Sequence, residues 1–130
     1  MISRKSPCGA IFPYYYKNGE LFGAHYEGFT RREQGLLELM RAEEEFIIQQ
    51  HYPLPYWVNF YGTRLTDEVM SEFVQGLNRL QSYITKVAIV GCSVIDKWRF
   101  KQVVKKMGLN IPVRYFSDTE EAKAWLVSEI

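Results

Sequence analysis

The sequence predicts an α/β fold with the element order ββαβαβαβα, in which a small, mixed, mostly parallel sheet is flanked by helices. Short apolar runs, typical of buried strands, alternate with longer stretches whose apolar residues recur at the helical period. The chain has 130 residues, of which 47% are hydrophobic. This is enough for one domain, residues 1–130, with a sizeable core. Residues 1–8 are a candidate disordered lead.

The N-terminal part predicts a β-hairpin. The stretches GAIFPYYY and LFGAHYEG are joined through Asn18-Gly19, a dipeptide that accepts the positive φ angles of a tight turn. Pro13 donates no hydrogen bond to a neighbouring strand. Its own strand is therefore expected at a sheet edge, or interrupted.

A first helix is predicted from about Arg31 to about Gln50, because Thr30 and Glu33 have the spacing of a capping box. The apolar face of this helix also contains Glu43. Two interpretations of that carboxylate stay open. It is either a functional buried acid or an acid at the margin of the apolar stripe that reaches water.

The middle of the chain predicts a central strand and a second helix. Two prolines in HYPLPY end the first helix and lead into YWVNFYG, an aromatic and β-branched run. Thr66 then has the position of an N-cap, with Asp67 and Glu68 in the first turn, where negative charge is favourable. The apolar spacing that follows predicts a core-facing helix of about 17 residues.

The last part of the chain predicts two further strands and two helices. KVAIVG is a continuous apolar run, as expected of a strand covered on both faces. The next helix runs from about Ile95 to Met107 and ends at Gly108, a left-handed C-cap. Its expected buried side contains Trp98, Val103 or Val104, and Met107. After the strand PVRYF, Asp118 caps a final helix whose expected buried residues are Ala122, Trp125, Leu126 and Ile130.

Composition excludes several classes of function. Sixteen Lys and Arg against fifteen Asp and Glu give a net charge of +1, too balanced to indicate by itself a surface for nucleic acid or membrane, and no nucleic-acid partner is expected. The sequence contains no apolar run of the roughly 18 residues that a membrane span needs, and no signal-peptide pattern. Cys8 and Cys92 fit a reducing compartment better than a disulfide, so a cytoplasmic location is expected. His25 and His51 lack metal-ligand spacing, and no metal or cofactor is expected.

The turn after the KVAIVG strand leaves three interpretations. The amides after Gly91 precede a helix whose N-terminus attracts anions, although the glycine pattern of a Rossmann or P-loop is missing. Ser93 has the spacing of a nucleophile elbow, but Ile95 occupies the place of the second glycine. The third interpretation is a tight packing turn. Cys92 is either a reactive thiol or an inert buried one. The sequence has no complete catalytic motif, and we expect no enzyme activity.

Two surface features suggest partners. Lys97, Lys101 and Lys105 form a row at i, i+4 and i+8, which is either a solvated face or a contact for an acidic partner. Ser93, Lys97 and Lys101 are the candidate partner or anion contacts. The aromatic hairpin predicts a homodimer surface, a pocket wall or ordinary packing. As a pocket for a small apolar or nucleotide ligand, its candidate lining residues are Tyr14, Tyr16, Phe22, Tyr26 and Glu43.

Three stretches together resemble the SpoIIAA-like or STAS-like bacterial proteins, relatives of the anti-sigma-factor antagonists. They are YGTRLTDEVMSEFVQGLNRL, KVAIVGCSVIDKWRF and RYFSDTEEAKAWL, within residues 56 to 129. The resemblance implies a helix-wrapped sheet that acts by protein contact without a cofactor. In the antagonists, a serine after the middle strand is phosphorylated by a partner kinase. At the corresponding place this chain has Thr63 and Thr66, the candidate phosphorylation or switch residues, but no serine-glycine pair.

The sequence therefore predicts a non-enzymatic cytoplasmic regulatory or protein-interaction domain of STAS-like type. Its partner surface is expected at the loops from Thr63 to Glu68 and from Ser93 to Lys97. Both loops follow predicted parallel strands, and ligands of open α/β sheets gather at the carboxyl ends of such strands. The alternative is a binder of a small apolar or nucleotide ligand between the hairpin and the helices.

Overall fold

The computed structural model describes residues 4–50 and 52–128. The strands in this part of the chain are β1 (Arg4–Lys5), β2 (Ile11–Phe12), β3 (Tyr14–Tyr16), β4 (Gly19–His25), β5 (Leu54–Asn59), β6 (Ile84–Val90) and β7 (Val113–Phe116). The helices are α1 (Glu33–Ile48), α2 (Asp67–Arg79), α3 (Val94–Met107) and α4 (Thr119–Leu126).

Five strands form one sheet in the order β3-β4-β5-β6-β7. β3 runs antiparallel to β4, and the other three pairs are parallel. One line of partners crosses the parallel part, from Phe22 through Tyr56 and Val87 to Val113. A helix connects each parallel pair, as parallel pairing requires. The predicted α/β class and mostly parallel sheet are confirmed.

The N-terminal lead is structured from Arg4 onward. β1 pairs with β2 in a separate two-stranded sheet, with Arg4 opposite Phe12. The Arg4 guanidinium also lies 5.2 Å from the centre of the Phe46 ring on α1. The expected disorder of residues 1–8 therefore does not hold from Arg4 onward, and the residues before Arg4 lie outside the described part.

The hairpin of β3 and β4 forms as predicted, but its turn lies one residue earlier. Tyr16 pairs with Gly19, so Lys17 and Asn18 make the turn. Lys17 has the positive φ, at 54°, and Gly19 already belongs to β4. β3 lies at the edge of the sheet, as the neighbouring Pro13 indicated.

The Cys8 thiol lies beside the outer edge of β4, at residues that β3 does not pair with. The His25 amide donates to Cys8 Sγ at 3.3 Å, and the same sulfur lies 3.9 Å from the Gly23 carbonyl oxygen. Residues 23 and 25 have the same parity, so both groups point to the side of β4 away from β5. The N-terminal segment thus covers the part of the outer edge of β4 that the short strand β3 leaves unpaired.

Local capping signals decide most helix ends, and one of them fails. Thr66 Oγ1 accepts from the Val69 amide at 3.2 Å, which confirms the N-cap of α2. The capping box predicted for α1 is wrong, because the helix begins at Glu33 after Arg32 and no described side chain caps it. The Glu33 carboxylate instead accepts a hydrogen bond from Thr66, the N-cap residue of α2. A contact distant in sequence therefore replaces the local cap.

The helix caps predicted for the C-terminal part of the chain are confirmed. Gly108 ends α3 in the left-handed conformation, with φ 71°, and Asp118 accepts from the Glu120 amide at 3.2 Å at the start of α4. α2 spans 13 residues, fewer than predicted, since Ile84 begins β6 and does not continue the helix.

The sheet separates two apolar cores. Residues of α1, α2 and α3 pack on one face in the larger core, and α4 packs on the other face in the smaller core. Ala122 and Leu126 are buried in the smaller core as predicted, Trp125 is half-buried, and Ile130 lies outside the described residues. Within 4–50 and 52–128, every helix is too short or too polar to cross a bilayer.

Candidate functional site: the loops after β5 and β6

The loops that follow β5 and β6 are held against each other by backbone contacts. The Phe60 amide donates to the Val90 carbonyl at 2.9 Å, and the Asn59 side chain accepts from the Tyr61 amide at 2.9 Å. Gly91 has a φ of 88°, and a Cβ added there would lie 2.5 Å from the Tyr61 nitrogen. Gly91 is therefore required by close backbone approach, which supports the interpretation of a packing turn.

Four large apolar side chains are exposed at this junction and are called the apolar patch: Tyr61, Val94, Ile95 and Trp98. Their exposed fractions are 73%, 78%, 71% and 63%. Tyr61 lies in the loop after β5, and the other three lie in the first two turns of α3. Single exposed apolar side chains are common on proteins, whereas several that are close together mark a contact surface.

The exposure of Trp98 corrects the predicted buried side of α3. Phe100 is fully buried, whereas Val103, Val104 and Met107 are half-buried. The Phe100 ring packs between the ring of Phe60, which follows β5, and the ring of Phe73 on α2, which fixes the rotation of the helix and turns Trp98 outward. Val103, Val104 and Met107 pack against the larger core as predicted, so the prediction is wrong for Trp98 alone, and it omitted Phe100.

Thr63 and Thr66 both lie in the loop between β5 and α2, and both hydroxyl groups are hydrogen-bonded. Thr63 donates to the Tyr26 carbonyl and accepts from the Phe29 amide at 3.1 Å. Thr66 caps α2 and donates to Glu33. The two candidate switch residues thus hold the loop in place in the unmodified protein.

Arg99 joins the two loops and was not singled out from the sequence. Its guanidinium donates to the Leu65 carbonyl at 2.8 Å, to Asp96 at 2.9 Å and to Asp67 at 2.7 Å. The hydrogen bond to Asp67 is the main cause that raises the pKa of Arg99. No local signal marks this role, because its partners at 65 and 67 are far away in the chain. Arg99 fixes the start of α3 against the start of α2.

The other candidate contacts of α3 divide between two roles. Ser93 Oγ accepts from the Asp96 amide at 3.1 Å and is the N-cap of α3. Lys97 and Lys101 instead line a separate cleft beside β7. Burial raises the pKa of the neighbouring Cys92 thiol to about 12, so this thiol stays protonated at neutral pH. This supports the inert interpretation of Cys92.

Glu43 is buried, with 2% of its surface exposed. Its carboxylate accepts from the Cys8 amide at 2.9 Å, and the cleft that Glu43 lines with described residues such as Ser6 and Phe46 has no room for a water molecule. The interpretation that Glu43 reaches water is therefore wrong. Its position on α1 gives it a structural role, in which it fastens the N-terminal segment to the helix.

Replacing Glu43 by glutamine is expected to flatten the pH dependence of stability. Burial raises the pKa of Glu43 above its ordinary value of 4.5. Between pH 4.5 and the raised pKa, the carboxyl is ionised in the unfolded protein but keeps its proton in the native protein. The free energy of unfolding therefore falls as pH rises through this range. Glutamine keeps an oxygen for the Cys8 amide and has no proton to lose. Urea unfolding at a series of pH values from 4 to 8 measures the difference.

The matched control is Glu45→Gln on the exposed side of the same helix. It is expected to follow the wild-type pH profile. Identical slopes for wild type and Glu43→Gln would show that burial does not perturb this carboxyl.

The five candidate pocket residues do not line one cavity. Tyr14 and Tyr16 face α4, where Tyr14 accepts from Lys123 at 2.8 Å and Tyr16 donates to Glu120 at 2.8 Å. The other three lie on the opposite face: Phe22, Tyr26 and Glu43. Side chains alternate along a strand, so neighbouring hairpin positions point to opposite cores. The predicted pocket rested on the density of aromatic residues in the hairpin and disregarded this alternation.

The clefts near the hairpin are small. The cleft that Tyr26 lines between α1 and α2 has a volume of about 30 Å³, which is room for about two water molecules. The Tyr26 and Tyr56 hydroxyl oxygens meet in the core at 3.4 Å, and burial raises the pKa of both phenols. Among the described residues, no group of three or more His, Cys, Asp or Glu side chains can hold a metal ion.

The fold and its site define a class: a small α/β domain that presents loops at the carboxyl ends of parallel strands. The family model described as SpoIIAA-like matches residues 32–127. The chain belongs to the SpoIIAA-like family, as its three sequence stretches indicated. No curated protein and no solved structure matches the chain.

Proposed function

We propose that the protein is a non-enzymatic, cytoplasmic regulatory domain of STAS type that binds a protein partner through the loops after β5 and β6. The apolar patch carries this proposal. Tyr and Trp side chains at protein interfaces supply large contact areas and much of the binding energy. Membership of the SpoIIAA-like family supports action by protein contact.

The surroundings of the patch also support a preformed binding surface. Gly91 and Tyr61 fix one loop against the other, and Arg99 fixes the second loop to α2. A surface held in this way loses little conformational entropy on binding.

A triple substitution of the patch tests the proposal. Tyr61→Ser, Ile95→Ser and Trp98→Ser together are expected to weaken the capture of the partner from host lysate by about tenfold or more, because the apolar contact is removed. Each exposed position is expected to change stability by no more than about 0.5 kcal/mol. Quantitative mass spectrometry of proteins retained by immobilised wild type and variant measures the effect.

The control variant carries Ile11→Ser and Ile48→Ser. These residues are 53% and 39% exposed and lie outside the loops after β5 and β6. It is expected to retain the same proteins as wild type. If the patch variant also retained the same set, in the same amounts, the proposal would be wrong.

Two further predictions from the sequence stay predictions. Phosphorylation at Thr66 would remove the cap of α2 and place charge beside Glu33, Asp67 and Glu68, which favours a loosened loop. Phosphorylation at Thr63 would break its hydrogen bonds to the loop after β4. A homodimer through the hairpin is equally a prediction.

A further inference from the structure

A cleft of about 410 Å³ lies between α3 and β7 and is here called the basic groove. Lys97, Lys101 and Lys105 line it from the helix, and Val113 and Tyr115 line it from the strand. The Lys101 ammonium lies 5.7 Å from the centre of the Tyr115 ring, which places the middle lysine of the row over the strand. The groove is separate from the apolar patch.

The floor of the groove is an open sheet edge. Within the described residues, β7 pairs only with β6. The Val87 amide donates to the Pro112 carbonyl at 2.9 Å, so position 112 points inward toward β6. In a parallel ladder both backbone groups of a residue point to one side, and the side alternates. Val113 and Tyr115 therefore present their amide and carbonyl groups outward.

The lysines of the groove are available for an anionic partner. The ion pairs formed by described residues use His25, Arg79 and Arg99 as their cations, and none uses a groove lysine. The nearby Arg114 guanidinium lies 5.2 Å from the Trp125 ring, on the α4 face of the sheet. Three unpaired positive charges thus follow one side of an open strand.

The spacing of these charges fits an extended chain. Lysines four residues apart on a helix are separated by about 6 Å along its axis. Alternate residues of a strand, which share one face, are separated by about 6.6 Å. Since α3 connects β6 to the parallel strand β7, the lysine row runs along the sheet edge. Carboxylates at every second position of an added strand therefore match the three lysines.

We propose that the basic groove binds an extended acidic segment of a partner protein, which adds a strand to the sheet at β7. Backbone hydrogen bonds to Val113 and Tyr115 hold the segment, and its alternate carboxylates contact Lys97, Lys101 and Lys105. The inference rests on the proposed function only in taking the partner to be a protein. It uses none of the apolar patch residues.

A second copy of the chain fits the groove poorly. Antiparallel pairing of β7 with its symmetry mate would bring two lysine rows together on one face, and like charges repel. The opposite sheet edge, β3, consists of Tyr14–Tyr16 and supplies no carboxylate. A single-stranded nucleic acid carries the right charge but lacks the amide and carbonyl groups that pair with a strand edge.

The first test uses a capped synthetic peptide in which threonine and glutamate alternate, with three glutamates. Its binding is measured by fluorescence anisotropy at about 0.15 M salt, where charges more than about 8 Å apart are largely screened from each other. Lys101→Gln with Lys105→Gln is expected to weaken binding by about tenfold or more. The control, Lys5→Gln with Lys106→Gln, removes the same charge outside the groove and is expected to stay within about twofold of wild type. Absence of peptide binding, or equal effects of both double variants, would overturn the proposal.

A second test separates strand addition from charge attraction alone. Two versions of the peptide carry N-methyl groups, either on the glutamate amides or on the threonine amides. Only one set of amides faces β7, so one version is expected to lose binding and the other to keep it. Hydrogen exchange is expected to slow at the amides of Val113 and Tyr115. Equal binding of both methylated peptides would overturn the proposal, as would tighter binding of oligothymidylate at the same lysines.

The failure of this inference is distinguishable from failure of the proposed function. The variant Tyr61→Ser, Ile95→Ser, Trp98→Ser is expected to bind the peptide like wild type, because the groove is intact. Loss of peptide binding in that variant would contradict the separation of the two surfaces. A groove that binds no peptide leaves the lysate result for the apolar patch unaffected.

Discussion

Replacing Gly91 by alanine is expected to lower the free energy of unfolding by about 3 kcal/mol or more. The residue has a φ of 88°, which an L side chain adopts only with strain. The added Cβ would also lie 2.5 Å from the Tyr61 nitrogen and 2.8 Å from the Tyr61 Cα, and both are backbone atoms without rotational freedom. The loop after β5 must therefore move for the variant to fold. Urea denaturation of both proteins measures the loss.

Gly108→Ala is the matched control, because it adds a Cβ to a left-handed backbone conformation without a steric clash. Gly108 has a φ of 71°, and apart from its own turn of chain no atom of the described residues lies within 4 Å of an added Cβ. This variant is expected to lose only the left-handed strain, about 1–2 kcal/mol. Equal losses at Gly91 and Gly108 would show that the close approach of Tyr61 contributes nothing.

Replacing Phe100 by alanine is expected to lower the free energy of unfolding by about 3–5 kcal/mol. The side chain is fully buried, and its ring centre lies 5.6 Å from that of Phe60 and 6.0 Å from that of Phe73. Truncation leaves a cavity where the aromatic rings of three elements meet. Chemical denaturation with unchanged m-value is the measurement.

Trp98→Ala on the same helix provides the control for Phe100→Ala. Trp98 is larger but 63% exposed, so its removal is expected to change stability by about 0.5 kcal/mol at most. If Trp98→Ala destabilised the protein as much as Phe100→Ala, the assigned rotation of α3 would be wrong. The same variant reports on the apolar patch, because lost partner binding without lost stability identifies a contact residue.

Much of the fold follows from local signals in the sequence. Thr66, Gly108 and Asp118 act through hydrogen bonds or backbone angles within a few residues of themselves, so a sequence pattern predicts them well. The continuous apolar runs of β5 and β6 are likewise a direct result of burial on both faces.

The features that the sequence did not predict depend on contacts distant in the chain. Glu33 bonds to Thr66 and not to its own helix start, and Glu43 is buried against the Cys8 amide, 35 residues away. The apolar patch was missed because the packing of Phe100 decides which side of α3 is exposed. Arg99 was missed because its partners belong to another loop.

The Cys8 thiol on the flank of β4 has a consequence for how far the sheet can grow. A sheet with two unpaired edges can pair edge to edge with further copies without limit, and natural proteins prevent this with short or covered edge strands. On one flank, β3 is three residues long, and Cys8 takes over the hydrogen bonding of Gly23 and His25 beyond it. Within the part of the chain that the structure describes, the other flank, β7, pairs with β6 alone. Backbone pairing on the β3 flank is therefore confined to three residues, so a strand added at β7 is not matched by a second long edge from which a fibre could extend.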